Sequence, residues 1–449
     1  MLMKIKNLLL FACILMTSCS SVYEKEEQLP SLSDKPSSST YLSLDEAQKD
    51  LECILHRLAN DRKVTTRTPI STTISSRFSI HNPLTRSSDG IDTASVHILN
   101  IGDKQGYAIM SSDKRCGPLL ALVLDGEMKG TNDTLSNSSE IYLLSKTEDY
   151  FRSSLRMANK PPFKPNKKWE EGDSVIYEYG PETTSLISIP GPLVNWGQKD
   201  PYNFYCPMDG AKKSLTGCVA TATAQLMSFY KYPSYYKNYS FDWDRMTSFT
   251  GVRDIRMSDE TKKQIARLMS CLGENGNLNM KYGYLGSSSK VELVPQTLSN
   301  FGYSSGGIVI DYNTEAVVSE LRKGYPVVIS GSDTYTVHKK KVLGLTVSKT
   351  TIWNGHAWVG YGAMEITKPY VRYIVDKNGH NKMTPQKSKN VNRYILCNLG
   401  WEGLKNGYYI SGLFNAEEGP FFTRSEADET NGKEGYYQYK QKCLINVRR

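Results

Sequence analysis

Apolar residues recur in helical and strand rhythms along this chain, and the mixture changes near residue 172. In the first part Ala47, Leu51, Ile54 and Leu55 follow Ser43-Leu44-Asp45-Glu46, whose Ser and Glu three residues apart form a capping box. The pattern predicts a helix from about Leu44 to Leu58. Val96 to Ile101, a polar turn at Gly102-Asp103-Lys104-Gln105-Gly106, and Tyr107 to Ser111 predict a hairpin, and Leu119 to Leu124 adds a third strand. Ile141, Leu144, Phe151 and Leu155 mark another helix, giving a small α+β unit that ends before residue 158. Arg62 to Asp89 shows no clear period and reads as loop. Asn159-Lys160-Pro161-Pro162-Phe163-Lys164-Pro165 breaks the unit with an exposed, extended stretch that a protease can cut.

Beyond residue 172 the chain holds most of its Trp and many of its Tyr residues, with helix first and strands later, the order of an α+β enzyme domain. Within Leu215-Thr216-Gly217-Cys218-Val219-Ala220-Thr221-Ala222, a cysteine opens a helix of small residues. Val219, Ala222, Leu226 and Phe229 form its apolar face, and Cys218 falls on the first turn. The free N–H groups and positive dipole end there stabilise a thiolate, which predicts a thiol pKa below the ordinary value of about 8.5.

A cysteine nucleophile needs a base, and the base needs an orienting partner. Of six histidines, His56, His81 and His97 fall in the N-terminal unit, while His338 and His380 fall in polar loops. His356 stands apart, in Trp353-Asn354-Gly355-His356-Ala357-Trp358-Val359-Gly360 at the start of an apolar strand. A later strand, Tyr394-Ile395-Leu396-Cys397, ends at Asn398-Leu399-Gly400-Trp401. If the two strands run antiparallel, Asn398 comes to lie beside His356.

Composition narrows the alternatives. The formal charge of +9 is spread among interspersed acidic and basic residues, without basic runs interleaved with stacking aromatics, so no nucleic-acid partner is expected. The nine cysteines show no CxxC pair and no metal-ligand spacing, so neither a metal nor a cofactor is implied. Lys4 and Lys6, the apolar run Leu8 to Met16 and Thr17-Ser18-Cys19 have the three regions of an export signal. Its end resembles a bacterial lipobox, which would place lipid on Cys19 as the one membrane contact; ordinary signal cleavage is the alternative. The organisation expected is a signal over 1–19, a Ser/Pro-rich tether over 20–39, an α+β domain over 40–158, an activation linker over 159–185 and a catalytic domain over 186–449.

Four blocks in residues 185 to 445 resemble the streptopain family of papain-like cysteine proteases, clan CA. They are Pro192-Leu193-Val194-Asn195-Trp196-Gly197-Gln198, Thr216-Gly217-Cys218-Val219-Ala220, Gly355-His356-Ala357-Trp358, and Asn398-Leu399-Gly400-Trp401 with Asn406-Gly407-Tyr408-Tyr409. Gly106-Tyr107-Ala108-Ile109-Met110-Ser111 also resembles that family's inhibitory propeptide. The resemblance implies a two-part papain-like catalytic domain, in which a helical part carries the nucleophile and an antiparallel sheet carries His and Asn, behind an inhibitory prodomain. It implies that Cys218 is the nucleophile, His356 the general base and then acid, Asn398 the residue orienting the imidazole, and Gln198 an oxyanion donor alongside the Cys218 N–H. Substrates would be proteins or peptides, the propeptide an inhibitory partner, and the location exported, as an outer-membrane or periplasmic lipoprotein or secreted after processing. One departure stands out: the family places tryptophan directly after the asparagine, where this chain has Leu399. A ring there would cover an Asn–His hydrogen bond, so Leu399→Trp is expected to raise turnover. A silent surface-binding protein of the same fold and a transglutaminase-like acyl transferase are the two other readings.

Overall fold

The computed structural model describes residues 42–60, 71–81, 95–112, 117–128, 172–189, 194–249, 251, 256–342, 345–411 and 439–449. Helix α1 (Leu44–Asn60) begins at the expected capping box. The Ser43 N–H donates to Glu46 Oε2 at 2.9 Å and the Glu46 N–H donates to Ser43 Oγ at 3.3 Å, satisfying two donors that the first turn leaves free. Leu51, Ile54, Leu55 and Leu58 are buried along one stripe of α1. Strand β1 (Ile74–His81) lies in the stretch expected to be loop. It pairs antiparallel with β2 (Ser95–Ile101) at the end of the sheet. Ser75-Ser76-Arg77 hides its alternation, because an edge strand tolerates polar residues that a central strand excludes.

The predicted hairpin and third strand are present as β2, β3 (Tyr107–Ser111) and β4 (Leu119–Val123), joined antiparallel in that order. The helix expected around Ile141 to Leu155 lies outside the described residues. β5 (Ser174–Tyr179) and β6 (Thr183–Ser188) occupy part of the span read as linker.

Two short ribbons, β7 with β8 (Met208–Asp209, Lys212–Lys213) and β9 with β10 (Tyr235–Tyr236, Tyr239–Ser240), flank α2 (Cys218–Tyr230) in sequence. Helices α3 (Trp243–Thr247), α4 (Asp259–Gly273) and α5 (Val294–Asn300) follow, then β11 (Ser305–Asp311) and α6 (Thr314–Arg322). The remaining strands are β12 (Val327–Val342), β13 (Leu345–Val375), β14 (Gln386–Asn398), β15 (Gly407–Ile410) and β16 (Tyr439–Arg448). This is the expected α+β class, helices first and antiparallel strands later.

The main sheet runs β1-β2-β3-β4-β15-β14-β13-β12-β16-β11. The twofold period of a strand sends alternate residues of β12 and β13 to opposite faces. Val328, Ala357 and Val359 join α2 and α4 in one core, while Val327, Ile329 and Trp358 join α1 and α6 in the other. A separate compact unit comprises residues 170–183 and 367–390, where β5 pairs with the Tyr370–Val375 end of β13.

The N-terminal unit is stitched into the rest of the main sheet by hydrogen bonds. β4 pairs antiparallel with β15, with Val123 opposite Gly407, Leu122 opposite Tyr408 and Ala121 opposite Tyr409. The Leu124 N–H donates to the Asn406 carbonyl at 2.9 Å, and the Tyr394 hydroxyl donates to the Leu119 carbonyl at 3.0 Å. Glycine is required at 407, because a Cβ there would stand 2.3 Å from the Leu122 carbonyl oxygen. Gly407→Ala is therefore expected to destabilise the full chain by about 2 kcal/mol through overpacking. Urea unfolding checks this, and an unchanged midpoint would refute the close approach.

Candidate active site

α2 starts where the sequence reading put it. Gly217 caps it with φ +90°, a conformation that L side chains avoid, and a Cβ at that position would also meet Met280 Sδ at 2.8 Å. The helix was expected to have one apolar face, yet Val219 to Ser228 are all buried, polar residues included. Hydroxyls within the helix make this tolerable by turning onto its own carbonyls. Thr223 Oγ1 donates to the Val219 carbonyl at 2.7 Å and Ser228 Oγ to the Gln225 carbonyl at 2.6 Å. Small side chains also bring the next layer close, since a Cβ on Gly400 would lie 3.1 Å from Thr221 Cγ2.

Cys218, the first residue of α2, is half-buried. Its thiol meets the peptide N–H of Ala357, the residue after His356, so the segments that carry Cys218 and His356 stand together. The expected lowering of the thiol pKa does not hold in the full chain. Burial pushes the thiol up, and the N–H groups of Ala357, Val219 and Cys218 offset this only in part. The helix start was legible in the sequence; the loss of water around the sulfur was not.

His356 sits within β13 rather than at its start, opposite Gly331 of β12. Its Nε2 lies 2.9 Å from the Leu399 carbonyl oxygen. A carbonyl only accepts, so Nε2 carries the proton and Nδ1 keeps the lone pair of the neutral ring. Two indoles flank the imidazole, Trp401 at 4.9 Å between centroids and Trp358 at 5.8 Å, both stacked. Burial pulls the His356 pKa down from 6.5 to about 4, against the opposing pull of the Leu399 carbonyl.

Asn398 is close to this ring but does not bond to it, which corrects the expected direct Asn–His contact. Its Nδ2 donates to the Val194 carbonyl at 2.8 Å, and its Oδ1 accepts the Gly400 N–H at 3.1 Å. Gly400 N–H and the Leu399 carbonyl belong to one peptide plane, so Asn398 fixes the group that fixes His356. The reason lies in the backbone: Gly400 at φ +71° turns the chain immediately after β14 and presents a main-chain carbonyl to the ring. The argument for Leu399→Trp loses its basis, because the ring that covers the imidazole comes from Trp401.

Gln198 lies in the loop after Trp196, partly exposed. Its carbonyl accepts the Thr216 N–H at 3.1 Å, which ties that loop to the strand of chain leading into Cys218. The Trp196 N–H donates to Gln225 Oε1 of α2 at 3.2 Å, and the Glu402 N–H donates to the Trp196 carbonyl at 3.3 Å. Among the described residues no three or more His, Cys, Asp or Glu side chains gather as a metal ion would require. The six described cysteines, Cys53, Cys206, Cys218, Cys271, Cys397 and Cys443, are free thiols.

The neutral imidazole couples folding to pH. The unfolded chain protonates His356 near 6.5 whereas the folded chain resists protonation to about 4, so the folded state gains a contribution fully present above 6.5. Acidification through that window removes up to about 3 kcal/mol. Urea unfolding at pH 7 and pH 4 should show a smaller pH effect in His356→Gln than in wild type; equal slopes would refute the buried neutral ring.

Comparison with known proteins matches part of the sequence to a family. Residues 196–409 match the model of the Peptidase C10 family. Streptopain of Streptococcus pyogenes serotype M1 is 26% identical over 402 residues, covering 79% of this chain and 81% of that protein. Another Streptococcus pyogenes streptopain is 26% identical over 251 residues, covering 47% of this chain and 56% of that protein. Among solved structures, a cysteine-to-alanine mutant fragment of Prevotella intermedia prointerpain A aligns with TM-score 0.49 and 20% identity, over 83% of this chain and 99% of that one. The active wild-type interpain A cysteine protease of the same organism aligns with TM-score 0.38 and 22% identity, over 59% and 96%. The resemblance read from the four sequence blocks is borne out: this chain is a relative of streptopain, with residues 196–409 matching the Peptidase C10 family.

Proposed function

We propose that this chain is an exported cysteine endopeptidase made as a zymogen, with Cys218 and His356 as the reacting pair. One observation carries the reading: the Cys218 sulfur, at a helix start, meets the N–H of Ala357 next to an imidazole whose tautomer leaves Nδ1 basic. In the reaction His356 Nδ1 takes the thiol proton, the thiolate attacks the peptide carbonyl, and the imidazolium protonates the leaving amine. Water then hydrolyses the thioester, again with His356 as base. The Cys218 N–H and the Gln198 side chain are assigned to the developing oxyanion, where one donor is worth about 3 kcal/mol. Asn398 acts through the Leu399–Gly400 peptide, and Trp401 and Trp358 keep water from the imidazole.

Latency has an electrostatic side. Burial raises the thiol and lowers the imidazole, so moving the proton from sulfur to nitrogen is unfavourable in the full chain. Detaching the segment 40–158 admits a protein substrate to the pair. Expected from the sequence anywhere within 159–185, the activating cut narrows to residues before Ser174, because β5 and β6 occupy 174–179 and 183–188 and paired strands resist proteolysis. The signal and Cys19 would deliver the chain to the cell envelope by a lipid anchor.

Incubating purified wild type and Cys218→Ala under reducing conditions, with mass spectrometry of new N-termini, tests the proposal. Wild type should lose the N-terminal segment and cut a denatured protein substrate, and Cys218→Ala should do neither. Processing in both would assign the cut to an outside protease. Cross-links in place of new termini would replace hydrolysis with acyl transfer.

A further inference from the structure

Asn406 is buried in the turn between β14 and β15, and each of its polar groups has a separate partner. Its Oδ1 accepts the Leu399 N–H at 3.0 Å, and Leu399 is the residue whose carbonyl holds His356 Nε2. Its Nδ2 donates to Asn195 Oδ1 at 3.0 Å, in the segment that continues into Trp196, Gly197 and Gln198. Its main-chain carbonyl accepts the Leu124 N–H at 2.9 Å, at the end of β4. One residue thus touches the imidazole-orienting turn, the loop that bears Gln198 and the strand contributed by the N-terminal unit. The next residue, Gly407, is the position at which β4 leaves no room for a side chain.

We propose that Asn406 is a positioning residue that couples the seating of β4 to the orientation of His356. By holding the Asn406 main chain, the N-terminal segment then sets the turn from which the imidazole hangs. Coupling of this kind is reciprocal, so loosening the Leu399 turn must loosen β4 as well. The inference rests on the reading of Cys218 and His356 as the reacting pair, and its test needs no peptide hydrolysis.

In the full chain, the rate of Cys218 alkylation by iodoacetamide is followed from pH 5 to 9 by peptide mapping, alongside hydrogen exchange at Leu122 to Leu124. Asn406→Ala should slow alkylation at neutral pH about tenfold, the factor carried by one lost buried hydrogen bond, with a displaced pH profile and faster exchange in β4. Asn406→Asp keeps the acceptor for the Leu399 N–H, so its alkylation at neutral pH should be faster than that of Asn406→Ala. An unchanged profile in Asn406→Ala, an altered profile with β4 exchange untouched, or an Asp variant as impaired as the Ala variant would each overturn the proposal. Should Asn406→Ala not fold, exchange of the Leu399 amide in wild type, before and after proteolytic removal of the N-terminal segment, decides: equal protection in both forms rejects coupling. A wild type that alkylates as described yet hydrolyses nothing would sink the proposed function and leave this inference standing.

Discussion

One peptide plane, between Leu399 and Gly400, connects the imidazole to the rest of the fold. Its carbonyl accepts a hydrogen bond from His356 Nε2–H and its N–H donates to Asn398 Oδ1, so the ring is held by a main-chain group that is itself held from behind. A hydrogen bond to the N–H side of an amide polarises its carbonyl, which strengthens the bond to the ring. The arrangement needs a tight turn, and Gly400 and Gly403, both at positive φ, supply it. It also needs α2 close by, which the small face at Thr221 allows.

Around that plane the site is built by exclusion of water more than by charge. Two stacked indoles, a helix buried over Val219 to Ser228 and a sheet with a core on each face surround the imidazole, and among the described residues no carboxylate side chain stabilises a positive ring there. In such surroundings the uncharged thiol and imidazole are favoured over the ion pair. The same burial that gives a stable resting state opposes the ionised state that chemistry needs.

Much of this was readable from residue patterns. Ser43 and Glu46 announced α1, the alternation through Val96 to Leu124 announced three strands, and Gly217-Cys218 ahead of a small-residue run announced α2. His356 stood out among the histidines by the apolar strand around it. What stayed hidden was carried by groups without a side-chain signature: a Leu399 carbonyl does the work expected of Asn398, and desolvation reverses the expected shift of the Cys218 thiol. β1 escaped notice because an edge strand need not alternate cleanly. Asn406 gave no signal of its own, because two of its bonds reach Asn195 and Leu124, far away in sequence, which no local pattern encodes.

The ladder between β4 and β15 has a consequence for whatever form of the protein lacks β4. β15 would then present a raw sheet edge, and bare edges invite pairing with other chains and clumping. This one is only four residues long and opens with a glycine, which offers a stranger little to grip. Brevity here acts as a safeguard, so that an internal seam could become an outer margin without making such a form sticky.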